Sequence, residues 1–572
     1  MARTPLLTDL SRALRIARFA DARHLRTEDA VEAAQTLEHR ANMRRRDFLR
    51  GVAGAAALSA AWPLEALAAK KQPSAPSIAI IGAGMGGLAC ADRLRQKGIL
   101  ATIYEAHPSR IGGRISSTDA FPGQVAERGG ELIDTGHKTL IGYAKGLGLT
   151  LEDVAKAPGD VFYHVGGAKR TEAEVVAEWR ELVGRARPDL KKLGKPTFFK
   201  HNAQEAALDF TDLATWLDQK AGDLPIIRKV LDVAYTIEYG REIHEQSALN
   251  LMCFIHFDRR SKFTPFGVFS DERYHVVEGN DRIPAGLAAS MPGQIVMGAR
   301  LRKLARGSDG KYQLWFGTPD GAPSVLADAV VLTVPFSVLR APNSNGVVLD
   351  PSLGLSADKL RAIKDLPYGT NAKTMIGFDG RPWAEQGCNG SVYTDQPNVQ
   401  TTWETSWTTA GATAVLTDYS GGNRGAALQT LAPLPGGSSQ TLSCGSCHTG
   451  SPYAVPTDAP SDPVQAQVGA FLSDLEQVWP GVTSRASTVG GRYVAVRGHW
   501  TSQRYSLGSY SCPQPGYFTT IAGLEGQSAG PLKFAGEHTD SFYSWQGYME
   551  GAALSGIAAA DELLADIKTG KL

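Results

Sequence analysis

Residues 77–105 constrain the fold more than any other stretch of the chain. Ser77-Ile78-Ala79-Ile80-Ile81 is a short apolar run that reads as a buried parallel strand. Gly82-Ala83-Gly84-Met85-Gly86-Gly87 follows at once, in G-x-G-x-x-G spacing. Leu88 to Lys97 reads as a helix with Gly98 as its stop, and Ala101 to Tyr104 as a second strand. Glu105 closes that strand, 23 residues after Gly82. Each part has a task in binding a dinucleotide. Gly82 makes the tight turn, Gly84 lets the backbone approach a pyrophosphate, and Gly87 lets the helix pack close to the strand. The helix N-terminus offers free N–H groups to the phosphates. Glu105 stands where a carboxylate holds ribose hydroxyls. Arg110-Ile111-Gly112-Gly113-Arg114 repeats the theme, with two glycines between guanidinium donors. Glu127-Arg128-Gly129-Gly130-Glu131 is a further glycine turn.

Composition excludes more than it assigns. A chain of 572 residues allows roughly two to four domains. It is 43% hydrophobic and 20% charged, as a globular protein is. With 59 Lys plus Arg against 58 Asp plus Glu, it has no net field for nucleic acid or anionic lipid. Six Cys in this length do not make a disulfide scaffold. Near the N-terminus, Arg44-Arg45-Arg46-Asp47-Phe48-Leu49-Arg50 precedes a weakly apolar stretch, Gly51 to Ala61, and Ala66-Leu67-Ala68 forms an A-x-A cleavage site. This order reads as a twin-arginine export signal over 43–68, preceded by an extension, 1–42, with Met43 as an alternative start. The protein is therefore expected in the periplasm or secreted. The apolar stretch falls short of the ~20 strongly apolar residues of a membrane span, and no later stretch reaches that length without charges.

The glycine pattern, the acid and the R-x-G-G-R run together resemble the flavin-containing amine oxidase family, and the resemblance covers nearly all of the chain after the signal. Asn280-Asp281-Arg282-Ile283-Pro284 and Ala329 to Pro335, with a turn running to Leu339, are similar to segments of its second cofactor piece. Gly369-Thr370-Asn371-Ala372-Lys373 resembles the segment with the family's active-site lysine. Phe534 to Thr539 and Trp545 to Ala552 resemble its C-terminal flavin motif. The resemblance implies an α/β fold in which a Rossmann-like FAD-binding domain, of the glutathione-reductase-like kind, carries an α+β substrate-binding domain. The FAD domain would be assembled from 75–150, 275–345 and 495–566, and the substrate domain from 151–274 and 346–494. Helices are expected at Phe210 to Ala221, Leu224 to Tyr235, Val464 to Val478 and Gly551 to Ile567. FAD would be held by Gly82, Gly84, Gly87, Glu105, Arg110, Gly112, Gly113, Arg114, Leu301, Gly536, Glu537 and Met549.

Oxidation of an amine by flavin moves a hydride from the carbon beside nitrogen, so the nitrogen must react unprotonated. Burial among aromatic rings disfavours the charged form, while ring faces still steer an incoming cation. The family places two aromatic side chains before the flavin, and these map to Tyr510 and Tyr548. Lys373 maps to the lysine that holds a water against the flavin. Two departures bear on chemistry. Relatives with covalent FAD carry a Cys where this chain has Ser509, so FAD is expected to be non-covalent, and Cys512 is expected to be buried. Amino-acid oxidases place an Arg after the glycine turn to clamp the carboxylate, and here that position is Leu132, which favours amines.

A Gly/Ser/Pro/Thr-rich stretch, about 425–463, reads as an insertion. It contains Cys444-Gly445-Ser446-Cys447-His448, the C-x-x-C-H spacing of covalent haem c attachment. A local disulfide and a metal-binding turn are the alternatives. The expected function is an exported FAD-dependent oxidase or dehydrogenase of a small primary or secondary amine. Electrons would pass to O2 or to a c-type haem or periplasmic cytochrome, with no nucleic-acid partner. An L-amino-acid oxidase or tryptophan 2-monooxygenase-like enzyme is the alternative, and a non-catalytic flavin or haem electron carrier is a third.

Overall fold

The computed structural model describes residues 5–38, 76–154, 157–257, 271–317, 324–342, 346–406, 411, 413–428, 463–540 and 543–572. Five parallel strands form one sheet, in the order Leu532–Phe534, Ala329–Leu332, Ile78–Ile81, Thr102–Tyr104 and Ile295–Val296. The central strand, Ile78–Ile81, is buried along its whole length, which is why its sequence is uninterrupted and apolar rather than alternating.

The helix after the glycine turn spans Met85–Arg95, three residues earlier than the apolar pattern alone places its start. Gly86 and Gly87 therefore lie inside it. A Cβ at Gly87 would stand 2.0 Å from the carbonyl oxygen of Gly82, so strand, turn and helix close up only with glycine there. On the other side, a Cβ at Gly556 would stand 2.0 Å from the carbonyl oxygen of Gly86. Gly556 belongs to the C-terminal helix, Met549–Lys568, whose buried Gly551, Ala553, Ala559 and Ala560 let two backbones approach directly. The Ala-rich composition of that helix follows from this contact.

A seven-stranded mixed sheet lies elsewhere in the chain. Its order is Ala495–His499, Ala372–Asp379, Thr413–Ser420, Thr401–Glu404, Cys388–Thr394, Asp160–Val165 and Ala168–Arg170. Helices Glu172–Leu190, Leu213–Ala221 and Pro225–Tyr239 accompany it. The helix expected from Phe210 instead begins at Leu213. Phe210 ends the preceding helix, Thr211 is extended, and the Asp212 carboxylate caps the next one by accepting from the Thr215 N–H at 2.8 Å. The helix expected to end at Tyr235 runs on to Tyr239 and stops at Gly240, which is left-handed at φ 69°. Together the two sheets form the expected α/β architecture.

Residues 5–38, within the stretch expected to precede the export signal, join the main hydrophobic core. A helix at Pro5–Arg23 packs on Glu172–Leu190, and a second spans 27–38. Leu10, Ala13, Leu14, Ile16 and Ala20 are wholly inaccessible. Arg180 pairs with Asp21 at 2.6 Å and donates to Thr27 Oγ1 at 2.8 Å, while Arg18 donates to the Ile255 carbonyl at 2.7 Å. Residues 43–68, the expected signal, lie outside the described residues. No described helix is long and apolar enough to cross a membrane. Leu14→Ala leaves a cavity in this core and is expected to cost about 2–5 kcal/mol. Denaturant unfolding checks it, and an unchanged midpoint contradicts the packing of this helix.

Candidate active site

The glycine turn opens into a long cleft. Gly82, Gly84, Glu105, Arg110, Gly112, Gly113, Arg114, Leu301, Gly536, Glu537 and Met549 all line it, and Gly87 lies behind it as a packing residue. The Glu105 carboxylate fastens the end of its strand across the turn. One oxygen accepts from the Ala83 N–H and the other from the His107 N–H, each at 2.7 Å. Burial pushes its carboxyl above the usual range. The second glycine pair rests on the first, because the Gly112 N–H donates to the Ala83 carbonyl at 2.8 Å. Gly112 and Gly113 are both left-handed, at φ 90° and 60°.

The cleft fits an anionic dinucleotide in two respects. A Cβ built on Gly84 meets nothing within 4 Å, so this glycine is a gap in the wall and not a packing contact. Two helix N-termini, at Met85 and Met549, reach the cleft without a side-chain cap. Their free N–H groups and partial positive charge suit phosphate or another electron-rich group. Arg114 does more than face the cleft. Its Nη1 donates to Glu537 Oε1 at 3.0 Å and to the Ser509 carbonyl, bracing three distant stretches of chain.

A second cavity adjoins the cleft and shares Gly130, Ser509, Tyr510, Tyr548 and Met549 with it. Strand register explains how it is built. Lys373 is directly opposite Tyr419, and Tyr419 directly opposite Thr401, so these side chains share one sheet face. Trp403, two residues after Thr401, falls on the same face, with its ring 5.2 Å from that of Tyr419. Lys373 Nζ lies 5.3 Å from the Trp403 ring centroid and 5.9 Å from that of Tyr419. Its three protons have three acceptors: Glu131 Oε2 at 2.7 Å, the Gly129 carbonyl at 2.8 Å and the Glu127 carbonyl at 3.3 Å. The other Glu131 oxygen accepts from the Trp403 indole N–H at 3.0 Å. The Tyr510 and Tyr419 hydroxyls meet at 2.9 Å, and Tyr548 packs edge-on against His137 and Trp545. Ser509 Oγ donates to Asn371 Oδ1 at 2.6 Å.

Lys373, Tyr510 and Tyr548 are thus brought to one cavity, and Leu132 lines it too. Sequence reasoning missed Trp403, Tyr419 and Trp500 as lining residues. For Trp403 and Tyr419 the alternation of their strands held the signal, but the pairing of those strands did not follow from it. Glu131 stood inside a recognised glycine turn, yet its partner is 242 residues away. Cys512 is fully buried, as expected. Cys444, Cys447 and His448 lie outside the described residues. Among the described residues no three His, Cys, Asp or Glu side chains gather as metal ligands.

The sequence model for flavin-containing amine oxidoreductases matches residues 85–564. The chain belongs to that family. Its flavin is FAD, and it is an oxidoreductase. It is similar to an L-amino-acid oxidase of Siganus canaliculatus, at 25% identity over 508 residues, covering 85% of each chain. It is also similar to polyamine oxidase 4 of Oryza sativa subsp. japonica, at 26% over 512 residues, covering 86% of this chain and 88% of that one. Among solved structures, cyclohexylamine oxidase of Brevibacterium oxydans IH-35A superposes with a TM-score of 0.67 at 20% identity, covering 86% of this chain and 100% of that one. Putrescine oxidase bound to putrescine superposes with a TM-score of 0.66 at 19% identity, covering 86% and 99%. These two likenesses concern the fold. Gly84→Leu fills the gap in the cleft wall at a φ of −74°, which a side chain tolerates. This variant is expected to keep its far-ultraviolet circular dichroism and purify without flavin absorbance; full flavin occupancy contradicts the assignment of the cleft.

Proposed function

We propose that this oxidoreductase is an exported amine oxidase that takes primary or secondary amines in preference to amino acids. The observation that carries the reading is the cavity wall. It offers Trp403, Tyr419, Trp500, Tyr510 and Tyr548 to an apolar amine, and Leu132 where a carboxylate clamp would stand. The two arginines that line it each have partners outside it. Arg114 is bound to Glu537, and Arg128 donates to Ser116 Oγ at 2.7 Å and the Ser117 carbonyl at 2.8 Å.

Bound flavin supplies the hydride acceptor. The chain's own residues set up the substrate. The aromatic faces attract the amine as a cation, and enclosure among them, beside the Lys373 ammonium, disfavours its protonated form. Loss of that proton frees the nitrogen lone pair. Tyr510 and Tyr548 flank the passage between cavity and cleft, and so orient the substrate carbon toward the cofactor. Lys373, held by Glu131 and the Gly129 carbonyl, exchanges its longest contact, the Glu127 carbonyl at 3.3 Å, for the water that serves the cofactor edge. Overall, a primary amine, water and O2 give aldehyde, ammonia and hydrogen peroxide, and a secondary amine releases a primary amine in place of ammonia. The export signal at 43–68 supports a periplasmic or secreted site of action.

Ser509 in place of the linking cysteine supports non-covalent FAD. The C-x-x-C-H spacing supports a c-type haem on Cys444 and Cys447, with His448 on iron, as a second electron exit; a disulfide is its rival. One denaturation experiment on protein exported from a host with haem c maturation reads both. Flavin should appear in the supernatant, and a Soret band should stay with the precipitated chain. Flavin in the pellet contradicts the first expectation, and a mass lower by two hydrogens without haem contradicts the second.

The substrate reading is tested by anaerobic stopped flow with amines and their α-carboxylated counterparts, such as tryptamine and tryptophan. An unpaired carboxylate costs about 1–3 kcal/mol, so the amine should reduce the flavin about tenfold faster or more. Faster reduction by the amino acid reverses the reading in favour of an L-amino-acid oxidase.

A further inference from the structure

The segment between helices Glu172–Leu190 and Ala203–Phe210 carries charge of one sign. Residues 190–204 include Lys191, Lys192, Lys195, Lys200 and His201, and no Asp or Glu. The carboxylates that flank this run are turned inward. Asp189 accepts from the Trp216 indole N–H at 3.0 Å and pairs with Lys220 at 3.1 Å. Glu205 accepts from the Gly194 and Asn202 N–H groups at 2.7 and 2.8 Å, and Asp209 accepts from Thr519 Oγ1 at 2.7 Å. Lys191, Lys192 and Lys200 are exposed and have no ionic partner among the described residues. The whole-chain charge of +1 conceals this local excess.

The same segment holds apolar side chains out in water. Thr197 and Lys200 exchange both backbone hydrogen bonds, at 2.8 and 3.1 Å, which makes a tight turn with Phe198 and Phe199 at its tip. The Phe198 N–H donates to the Ala522 carbonyl at 3.0 Å, and the Pro196 carbonyl accepts from the Tyr543 hydroxyl at 2.9 Å, so the turn is fixed to the body of the protein. Phe199 is nevertheless 62% exposed, and Phe210 is 63% exposed. A Cβ on Gly523 would stand 3.3 Å from the Phe199 ring, and one on Gly516 would stand 2.8 Å from the Phe210 ring. Both rings therefore rest on one short stretch, 516–523. Arg361 donates to the Thr520 carbonyl in that stretch at 3.0 Å, which brings helix Ala357–Asp365 alongside. That helix adds Leu360, 46% exposed, and Lys364, exposed on the same face. Exposed apolar side chains scattered singly are ordinary, but a group of them among cations marks a docking surface.

We infer that this surface docks on a bilayer rich in anionic glycerophospholipid, with Phe199 and Phe210 seated among the headgroups and the lysines against lipid phosphates. The residue types favour lipid over a protein partner. Protein interfaces gather aromatic residues and arginine and exclude lysine. Here the permanent cations of 190–204 are all lysines, and the neighbouring Arg361 is paired with Asp358 at 2.9 Å. An aromatic ring beside lysine suits the membrane interface, where the ring enters between headgroups and the ammonium meets negative charge. The attachment is peripheral and involves no membrane-spanning helix. It does not rest on the reading of the aromatic cavity, and it agrees with an exported chain working beside a membrane.

The test is flotation of the purified holoenzyme with vesicles of phosphatidylglycerol and phosphatidylcholine in equal parts, beside vesicles of phosphatidylcholine alone. The wild type should float with the anionic vesicles and not with the neutral ones, and salt at about 1 M should release most of it. Phe199→Ser with Phe210→Ser should weaken binding by about tenfold or more. Lys191→Gln, Lys192→Gln and Lys200→Gln together should weaken it by about 10²-fold. Arginine at the same three positions keeps the charge and should bind as the wild type does. All these changes lie on the surface, so the variants should keep their flavin absorbance. Absence of binding to the anionic vesicles overturns the inference, as does equal binding to the neutral ones. Undiminished binding by both the phenylalanine and the glutamine variants removes it from this surface. A dimer in sedimentation velocity that Phe199→Ser with Phe210→Ser abolishes also overturns it, because a second copy of the chain then covers the rings.

Discussion

The site depends on how Lys373 is held. Its ammonium sits inside the protein and reaches from the seven-stranded sheet to the glycine turn at 127–131, where a carboxylate and two backbone carbonyls receive it. A buried charge of this kind persists only when its partners are complete. Removing one leaves the other uncompensated, at a cost of roughly 3–5 kcal/mol. The turn thus carries a structural duty beside a chemical one. Gly129 and Gly130 bring backbone close to Lys373 and Met549: a Cβ on Gly129 would stand 1.9 Å from the Arg114 carbonyl oxygen, and one on Gly130 would stand 2.7 Å from the Met549 sulfur. The R-x-G-G-R run, the glycine turn, the lysine strand and the C-terminal helix are all fitted to one another at this point.

How much of this was legible follows the range of each interaction. The glycine turn was legible because strand, glycines, helix and acid lie within 30 residues, and Gly87 answers to the nearby Gly82 carbonyl and Gly84 to open space. Gly82, Gly86 and Gly112 also meet distant chain, at Thr333, Ala552 and Pro284, and Leu301, Gly536, Glu537 and Met549 came from the family resemblance. Lys373, Tyr510 and Tyr548 came from the family resemblance, and the structure brings them to one cavity. Glu131, Trp403 and Tyr419 escaped because they act across strand pairings that no local pattern reveals. A buried lysine needs a counter-ion, but the sequence does not say which carboxylate supplies it. The start of the helix at Met85 was misplaced because glycine is a poor helix former, and here close packing outweighs that propensity. The N-terminal helices were set apart because an export signal ordinarily opens a chain, yet their Leu and Ala face is fully packed.

Function is distributed along the series of spaces. The cleft offers two uncapped helix ends to an anionic dinucleotide. The aromatic cavity, walled by Trp403, Tyr419, Trp500, Tyr510 and Tyr548, is the proposed amine site. A further cavity of about 780 Å³ is walled partly by residues 8–38, which also join the main core.

The central claim is that an amine bound against Lys373, Tyr510 and Tyr548 delivers its electrons to the flavin. Anaerobic titration of the holoenzyme with a panel of amines tests it most directly, followed at the oxidised flavin band and with dithionite as the reference for full reduction. The account predicts bleaching by at least one amine, complete near one equivalent per flavin, and slowed by about 10²-fold or more in Lys373→Met, as for a positioned catalytic group. A flavin that dithionite bleaches and no amine does would contradict it.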